Sequence, residues 1–206
     1  MEPYTYSPLP SNHAIRMLTL LAGSGDEPLR GRLADFDTEL LEIESYEPLS
    51  YVWGNPERIH DFTCDGKTLK LTDSLYHAFR RLRLPDKDRR VWADQVCINQ
   101  DDLAERGQQV KFMNGIYKYA NHVLVWLGVD ERSEGEAAFG LVRSLAETFA
   151  DKSNERYKRF EEGHTGKNLD SRSMEDWAPL KHLTKLPWVG KSPLCSLGSV
   201  LTHSNQ

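Results

Sequence analysis

The chain has 206 residues, enough for one domain with or without a tail. Its 39% apolar and 10% aromatic side chains can bury a sizeable core. A formal net charge of -5 and a pI near 5.8 exclude the strong positive field by which nucleic-acid binders gather phosphates.

Three scattered cysteines, Cys64, Cys97 and Cys195, form no CxxC pair and no zinc spacing, and point to a reducing compartment. The apolar run Met17–Ala22 is too short, and sits behind too polar a leader, for a secretory signal. No stretch nears the ~20 apolar residues of a membrane span. The expectation is a cytoplasmic protein with no membrane span, no nucleic-acid partner and no metal. Arg80, Arg81, Arg83, Lys87, Arg89 and Arg90 form the one basic cluster, read as a solvated helix end that suits the macrodipole.

Residues 1–14 read as an extended arm carrying Tyr4 and Tyr6. Ile15–Leu21 reads as a strand closed by the turn chemistry of Gly23-Ser24-Gly25-Asp26. From Leu29 to Ile43, the apolar positions Leu33, Phe36, Leu40, Leu41 and Ile43 support a strand pair or a helical turn. Pro48–Gly54 is a β-rich run that breaks at Gly54-Asn55-Pro56. Ile59–Cys64 and Thr68–Leu71 flank Asp65-Gly66-Lys67, which predicts a hairpin because Gly supplies the positive φ of a tight reversal. Thr72 or Asp73 then caps a helix with apolar face Leu75, Ala78, Phe79 and Leu82, ended by Pro85.

The central block Val91–Gly128 reads as strand, helix, strand. Val91–Ile98 is the first strand, and Asp102 and Glu105 are spaced as a capping box at the helix start. Val110, Met113, Tyr117 and Ala120 form one buried stripe, widened by Phe112 and Ile116. Asn121 breaks the helix, and Val123–Leu127 is apolar enough for a strand buried on both faces. Short links imply a right-handed parallel crossover.

Beyond Gly128, Glu134–Phe149 predicts a long helix with Phe139, Val142, Leu145, Ala146 and Phe149 on one side. Residues 151–175 are charged and nearly free of aliphatic side chains, as in an exposed loop or frayed helix. Trp177, Leu180, Leu183 and Leu186 return to helical spacing before Pro187.

Few residues point to chemistry. Gly190-Lys191-Ser192 is no phosphate loop, because Lys185 occupies the position of the motif's first glycine. Cys97 with His60, His77 or His122 is a possible thiol pair, but a small core residue is the favoured reading. Asp94 and Glu105 are the only candidate acid/base pair, and each has a structural use: a helix cap for Glu105 and backbone N–H groups for Asp94. Arg106 and Gln109, one turn along, are the preferred partners of Asp94. Tyr51 and Trp53, before Gly54, are read as core packing, with a ligand role the lesser reading.

Taken together, these residues resemble a known family. The quoted motifs are Leu49-Ser50-Tyr51-Val52-Trp53-Gly54, Trp92-Ala93-Asp94, Cys97-Ile98-Asn99-Gln100, Glu105-Arg106, Gln109-Val110, Met113, Ile116-Tyr117, Ala120 and Val125-Trp126-Leu127-Gly128. In this order and spacing they resemble the HET (heterokaryon incompatibility) domain of filamentous fungi, over roughly the first two-thirds of the chain. Tyr6-Ser7-Pro8-Leu9 with Ile15-Arg16 and Leu18 resembles that family's lead-in. The resemblance implies a signalling or effector module in fungal non-self recognition and programmed cell death, working through protein partners or self-association. It also implies a TIR-like or flavodoxin-like α/β fold: a mainly parallel central sheet flanked by helices, with a small β-hairpin. The alternatives are a TIR-like hydrolase that cleaves NAD as substrate, with a pocket at the ends of strands 49–53 and 91–96, and an inactive truncated product. No cofactor is expected.

Two departures stand out. Ala93 replaces a larger aliphatic residue. The family's segment Pro-Trp-Phe-x-Arg-x-Trp-x-x-Gln-Glu begins at Pro187-Trp188 but gives way to Val189-Gly190-Lys191 and a Ser/Leu tail. The expected organisation is therefore an arm (1–14), a HET-type α/β domain (15–188) incomplete at its C-terminus, and a non-family tail (189–206) produced by a retained intron, a frameshift or an early stop. If the missing segment holds the counterpart of the TIR catalytic glutamate, Glu105 is the fallback acid.

Overall fold

In β1 (Ala14–Leu20), Ile15, Leu18 and Leu20 are fully buried, which places the strand inside the sheet. The computed structural model describes residues 1–41, 45–150, 158 and 177–191. The chain divides into two compact units, Met1–Gly128 and Val129–Gln206.

The first unit holds a seven-stranded sheet. Its other strands are β2 (Arg30–Asp37), β3 (Glu47–Tyr51), β4 (Arg58–Cys64), β5 (Lys67–Thr72), β6 (Arg89–Trp92) and β7 (Leu124–Trp126), in the order β5-β4-β2-β1-β6-β3-β7. β1 runs antiparallel to β2 and β6, and β4 antiparallel to β5. β2–β4, β3–β6 and β3–β7 are parallel. The sheet is α/β but mixed, which corrects the mainly parallel expectation: only the corner β6-β3-β7 is purely parallel. The reversals elsewhere come from the turn after β1 and from the β4–β5 hairpin. At that hairpin Asp65 and Gly66 both take positive φ, 50° and 76°, as a tight reversal demands.

Residues 30–40 satisfy both open readings in sequence. β2 pairs with β1 from Ala14↔Asp37 to Leu20↔Gly31. A single 3-10 turn, Thr38–Leu40, then follows, capped by the Asp37 side chain on Glu39 N. Ile43 lies outside the described residues. Helix α1 (Asp73–Leu82) starts where predicted: Thr72 accepts from Leu75 N, and Leu75, Ala78 and Phe79 are buried.

The basic cluster is a solvated helix end only in part: Arg80 and Arg81 lie in the last turn of α1, and Arg81 and Lys87 are exposed. Arg83 is buried and donates to the carbonyls of Gly25, Glu27 and Pro28, tying the turn after β1 to the end of α1. Arg89 holds the Glu47 carboxylate with two bonds of 2.6 and 2.9 Å, and Arg80 pairs with Asp26. The Arg89 bonds lead the effects that hold the Glu47 carboxyl below its ordinary value.

The central block departs from its prediction in three ways. The strand stops at Trp92, and Asp94–Cys97 forms a one-turn helix, α2, whose Val96 and Cys97 amides bond back to Ala93 O. A buried apolar run reads the same for a strand and for a buried helical turn. The helix is split into α3 (Leu103–Gln109), a 3-10 turn (Val110–Phe112) and α4 (Met113–Lys118). The tighter winding of that turn moves Val110 out to solvent while Ile116 stays fully buried. Finally, β7 is an edge strand with Val123 and Val125 exposed, not a strand covered on both faces. β6 and β7 run parallel, with β3 between them.

In the second unit, α5 (Gly135–Ala150) is capped by Asp130, which accepts from Glu134 N and Gly135 N. Ala138 and Leu141 are buried, whereas Phe139 and Val142 are exposed, so the covered stripe lies one position from the predicted one. α5 packs against α6 (Ala178–Leu183), with His182 Nδ1 2.5 Å from Glu134 Oε2, and α7 (Pro187–Lys191) follows. The loop predicted over 151–175, apart from Lys158, and the tail from 192 with Cys195 lie outside the described residues. Among the described residues no helix is long and apolar enough to cross a membrane.

Gly31 marks the tightest approach in the sheet. A Cβ there would lie 2.6 Å from Phe62 Cζ, 2.8 Å from Leu18 Cδ1 and 2.9 Å from Thr19 O. Gly31→Ala is therefore expected to cost about 1–3 kcal/mol by overpacking, read as a lower urea midpoint with an unchanged slope.

Candidate functional site

The parallel corner brings the C-terminal ends of β3 and β6 side by side, where α/β sheets commonly place their sites. Tyr51 ends β3, Val52 and Trp53 follow it, and Gly54 turns the chain with φ 69°. Asp94 opens α2, two residues past β6. Its carboxylate accepts from Tyr51 Oη (2.9 Å), from Trp53 Nε1 (3.2 and 3.1 Å to its two oxygens) and from Gln95 N (2.8 Å). Burial pushes the Asp94 carboxyl above its ordinary value, against the pull of those three donors. Burial, then the Asp94 charge, drives the Tyr51 phenol well above its own.

Asp94 is thus satisfied by Tyr51 and Trp53, from across the sheet corner. The expected partners point elsewhere. Gln109 is buried and donates to Ala14 O at 2.8 Å, and the exposed Arg106 reaches Gln100 O at 3.4 Å. Gln100 Nε2 donates to the backbone oxygen of Asp94 at 2.7 Å.

Glu105 belongs to a second cluster. Asp102 caps α3 as predicted, accepting from Ala104 N and Glu105 N. Glu105 does not complete a capping box, because its Oε1 takes Asn99 N at 2.7 Å. Its two oxygens also pair with Arg16 of β1, at 2.5 and 3.0 Å. Arg16 donates further to Ser7 O and Cys97 O and lies over the Tyr6 ring. Asp94 and Glu105 therefore serve separate clusters and form no acid/base pair.

Cys97 is fully buried, its thiol is pushed up to about 12 by desolvation, and its Sγ accepts from Ala93 N. That is a core thiol rather than a nucleophile, and His60 and His77 instead face Asp73. Among the described residues no group of three His, Cys, Asp or Glu side chains could hold a metal.

Trp92 is buried edge-on to Tyr117, whose hydroxyl donates to Leu49 O. Trp126 is half-buried on β7, and Gly128 ends the block with φ 114°. The sequence marks Arg16 only as part of the lead-in, and Thr72 only as a cap. Nothing in the sequence singles out Gln95, which is buried and accepts from Thr72 N and Oγ1, while its Nε2 has no partner.

The sequence is similar to known proteins. The profile of the family described as heterokaryon incompatibility protein (HET) matches residues 46–191. The chain belongs to the HET family. It is similar to heterokaryon incompatibility protein 6, OR allele, of Neurospora crassa, being 43% identical over 97 residues. That stretch covers 41% of this chain and 14% of the relative, so the chain corresponds to a small part of that protein. No solved structure matches the chain. In this HET domain Tyr51, Trp53 and Asp94 form one polar cluster at the start of α2, and Arg16 and Glu105 another at its end.

The two clusters respond differently to substitution. Arg16→Met leaves the Glu105 charge uncompensated and is expected to cost about 3–5 kcal/mol. Adding Glu105→Gln removes that charge but keeps an acceptor for Asn99 N, so the double variant recovers most of the loss in guanidinium denaturation. Because the Asp94 carboxyl is raised, it favours folding below its unfolded value, and that contribution is lost as pH rises through the folded one. Tyr51→Phe removes a bond to the ionised form and raises the carboxyl further. Its cost is expected to be about 1.5–3 kcal/mol near neutral pH, shrinking in melts at lower pH as Asp94 protonates.

Proposed function

We propose that this chain is a HET-type signalling and effector module in fungal non-self recognition and programmed cell death. It acts in the cytoplasm, through protein partners or self-association. The observation that carries this reading is the saturation of its motif. Asp94 is engaged by three donors and Glu105 by Arg16 and Asn99 N. Side chains committed in this way hold the two ends of α2 in place and keep the surface around it in shape. The buried free thiols of Cys64 and Cys97 suit a reducing compartment.

The TIR-like resemblance finds its support in the parallel corner β6-β3-β7, with the Asp94 cluster at the strand ends. Cleavage of NAD is the competing activity, and one pair of measurements separates the readings. Inducible expression of the chain in a fungal host is expected to arrest growth. Purified protein at high concentration is expected to release no nicotinamide from NAD. Turnover that Glu105→Ala abolishes would replace the signalling reading with an enzymatic one, and absence of growth arrest would favour an inactive product.

A further inference from the structure

The arm makes contacts at both ends that the site does not explain. Glu2 O accepts from Thr68 N and Tyr4 N donates to Thr68 O, both at 2.8 Å, so Pro3 forms a one-residue bridge on the outer edge of β5. At the other end the Tyr6 hydroxyl donates to Val96 O in α2 at 2.9 Å, and Ser7 O takes Arg16 Nη2 at 2.6 Å. The same Arg16 reaches Cys97 O, at the end of α2, and the Glu105 carboxylate. Tyr4 and Tyr6 pack edge to face.

Few bonds hold this segment compared with the seven-residue register that joins β1 to β2. Pro8 and Pro10 are exposed and have no N–H to give to a ladder, so the link to β1 stays outside the sheet. Met1, Glu2, Pro3, Thr5 and Ser7 are also exposed, leaving two half-buried tyrosines as the apolar anchors. Segments with few buried contacts are the first to open in a native protein.

We infer that residues 2–7 form a releasable strap: they close the β5 edge at one end and clamp the Asp94-bearing turn α2 at the other, so that lifting the strap loosens the site. The strap adds a second tie between β5 and α2, from Thr68 to Val96, beside the one that Gln95 makes to Thr72 at the end of β5. In the closed state it keeps the β5 edge from pairing with another chain, a role edge coverings commonly serve. In the open state α2 loses the hydrogen bond at Val96 O, and Arg16 loses Ser7.

Hydrogen exchange on the purified full chain tests this independently of the signalling proposal, because it reads only the motion of α2. The amides of Cys97 and Ile98 bond to Ala93 O and Asp94 O within the turn. Tyr6→Phe keeps the ring and removes the hydroxyl bond. Those two amides are expected to exchange about tenfold faster, the equivalent of one net hydrogen bond, while the β1 amides stay unchanged. In a chain lacking residues 1–9 the acceleration is larger, and a synthetic peptide of residues 1–9 added in trans restores protection. Unchanged exchange at Cys97 and Ile98 in Tyr6→Phe overturns the inference, as does failure of the peptide to restore protection. Where the shortened chain does not fold, Tyr6→Phe decides alone.

Discussion

A guanidinium on a strand inside a sheet must have its charge and its donors met where it lies, and Arg16 is only 3% exposed. Water cannot do it, so protein oxygens must. The carboxylate of Glu105 supplies the counter-charge, and the carbonyls of Ser7 and Cys97 take further N–H groups. The planar fork of arginine can address oxygens in several directions at once, as the point charge of lysine cannot. A buried ion pair is weak support for stability in itself, since desolvation consumes much of its attraction. What it does here is fix positions: the arm, β1, the end of α2 and the start of α3 all meet at one side chain.

The fixing of α2 depends on that junction. A helix of four residues cannot hold itself, because nucleation costs more than its few hydrogen bonds return. α2 is held at its ends instead. Arg16 takes its last carbonyl, and Tyr51 and Trp53 take the Asp94 side chain at its first position. Gln95, between them, is anchored to Thr72 at the start of α1, and Gln100 reaches back to Asp94 O. The turn is thus a node joining β1, β3, α1 and α3. Its rigidity belongs to its neighbours rather than to its own sequence.

The arginines outside the site obey the same rule. Arg83 closes the turn at residues 25–28 by taking three carbonyls, and Arg89 locks β6 to the start of β3 through Glu47. A cluster that reads as a basic surface in one dimension is divided in three: Arg80, Arg83 and Arg89 are spent on local acceptors, while Arg81 and Lys87 stay exposed.

What could be read from the sequence was local. The Asp65-Gly66 reversal, the Thr72 cap and the Asp102 cap each rest on residues within a few positions of one another, and each stands where predicted. The family, too, was legible in its motifs, which the match over residues 46–191 supports. Pairing across long separations was not legible. Glu105 finds Arg16 across 89 positions, and Asp94 finds Tyr51 and Trp53 across 43 and 41. For want of those partners, Glu105 was assigned to a capping box and Asp94 to Arg106 and Gln109. Sheet direction failed for the same reason, because β1 lies between β2 and β6 through contacts that no short window contains. The same dependence places narrow demands on each of these residues. Trp53 must bring an N–H to a carboxylate from a loop, Tyr51 a hydroxyl to the same oxygen, and Arg16 a fork to one carboxylate and two carbonyls. Few other side chains meet those demands, so the identity of each of these residues is tied to its place in the scaffold.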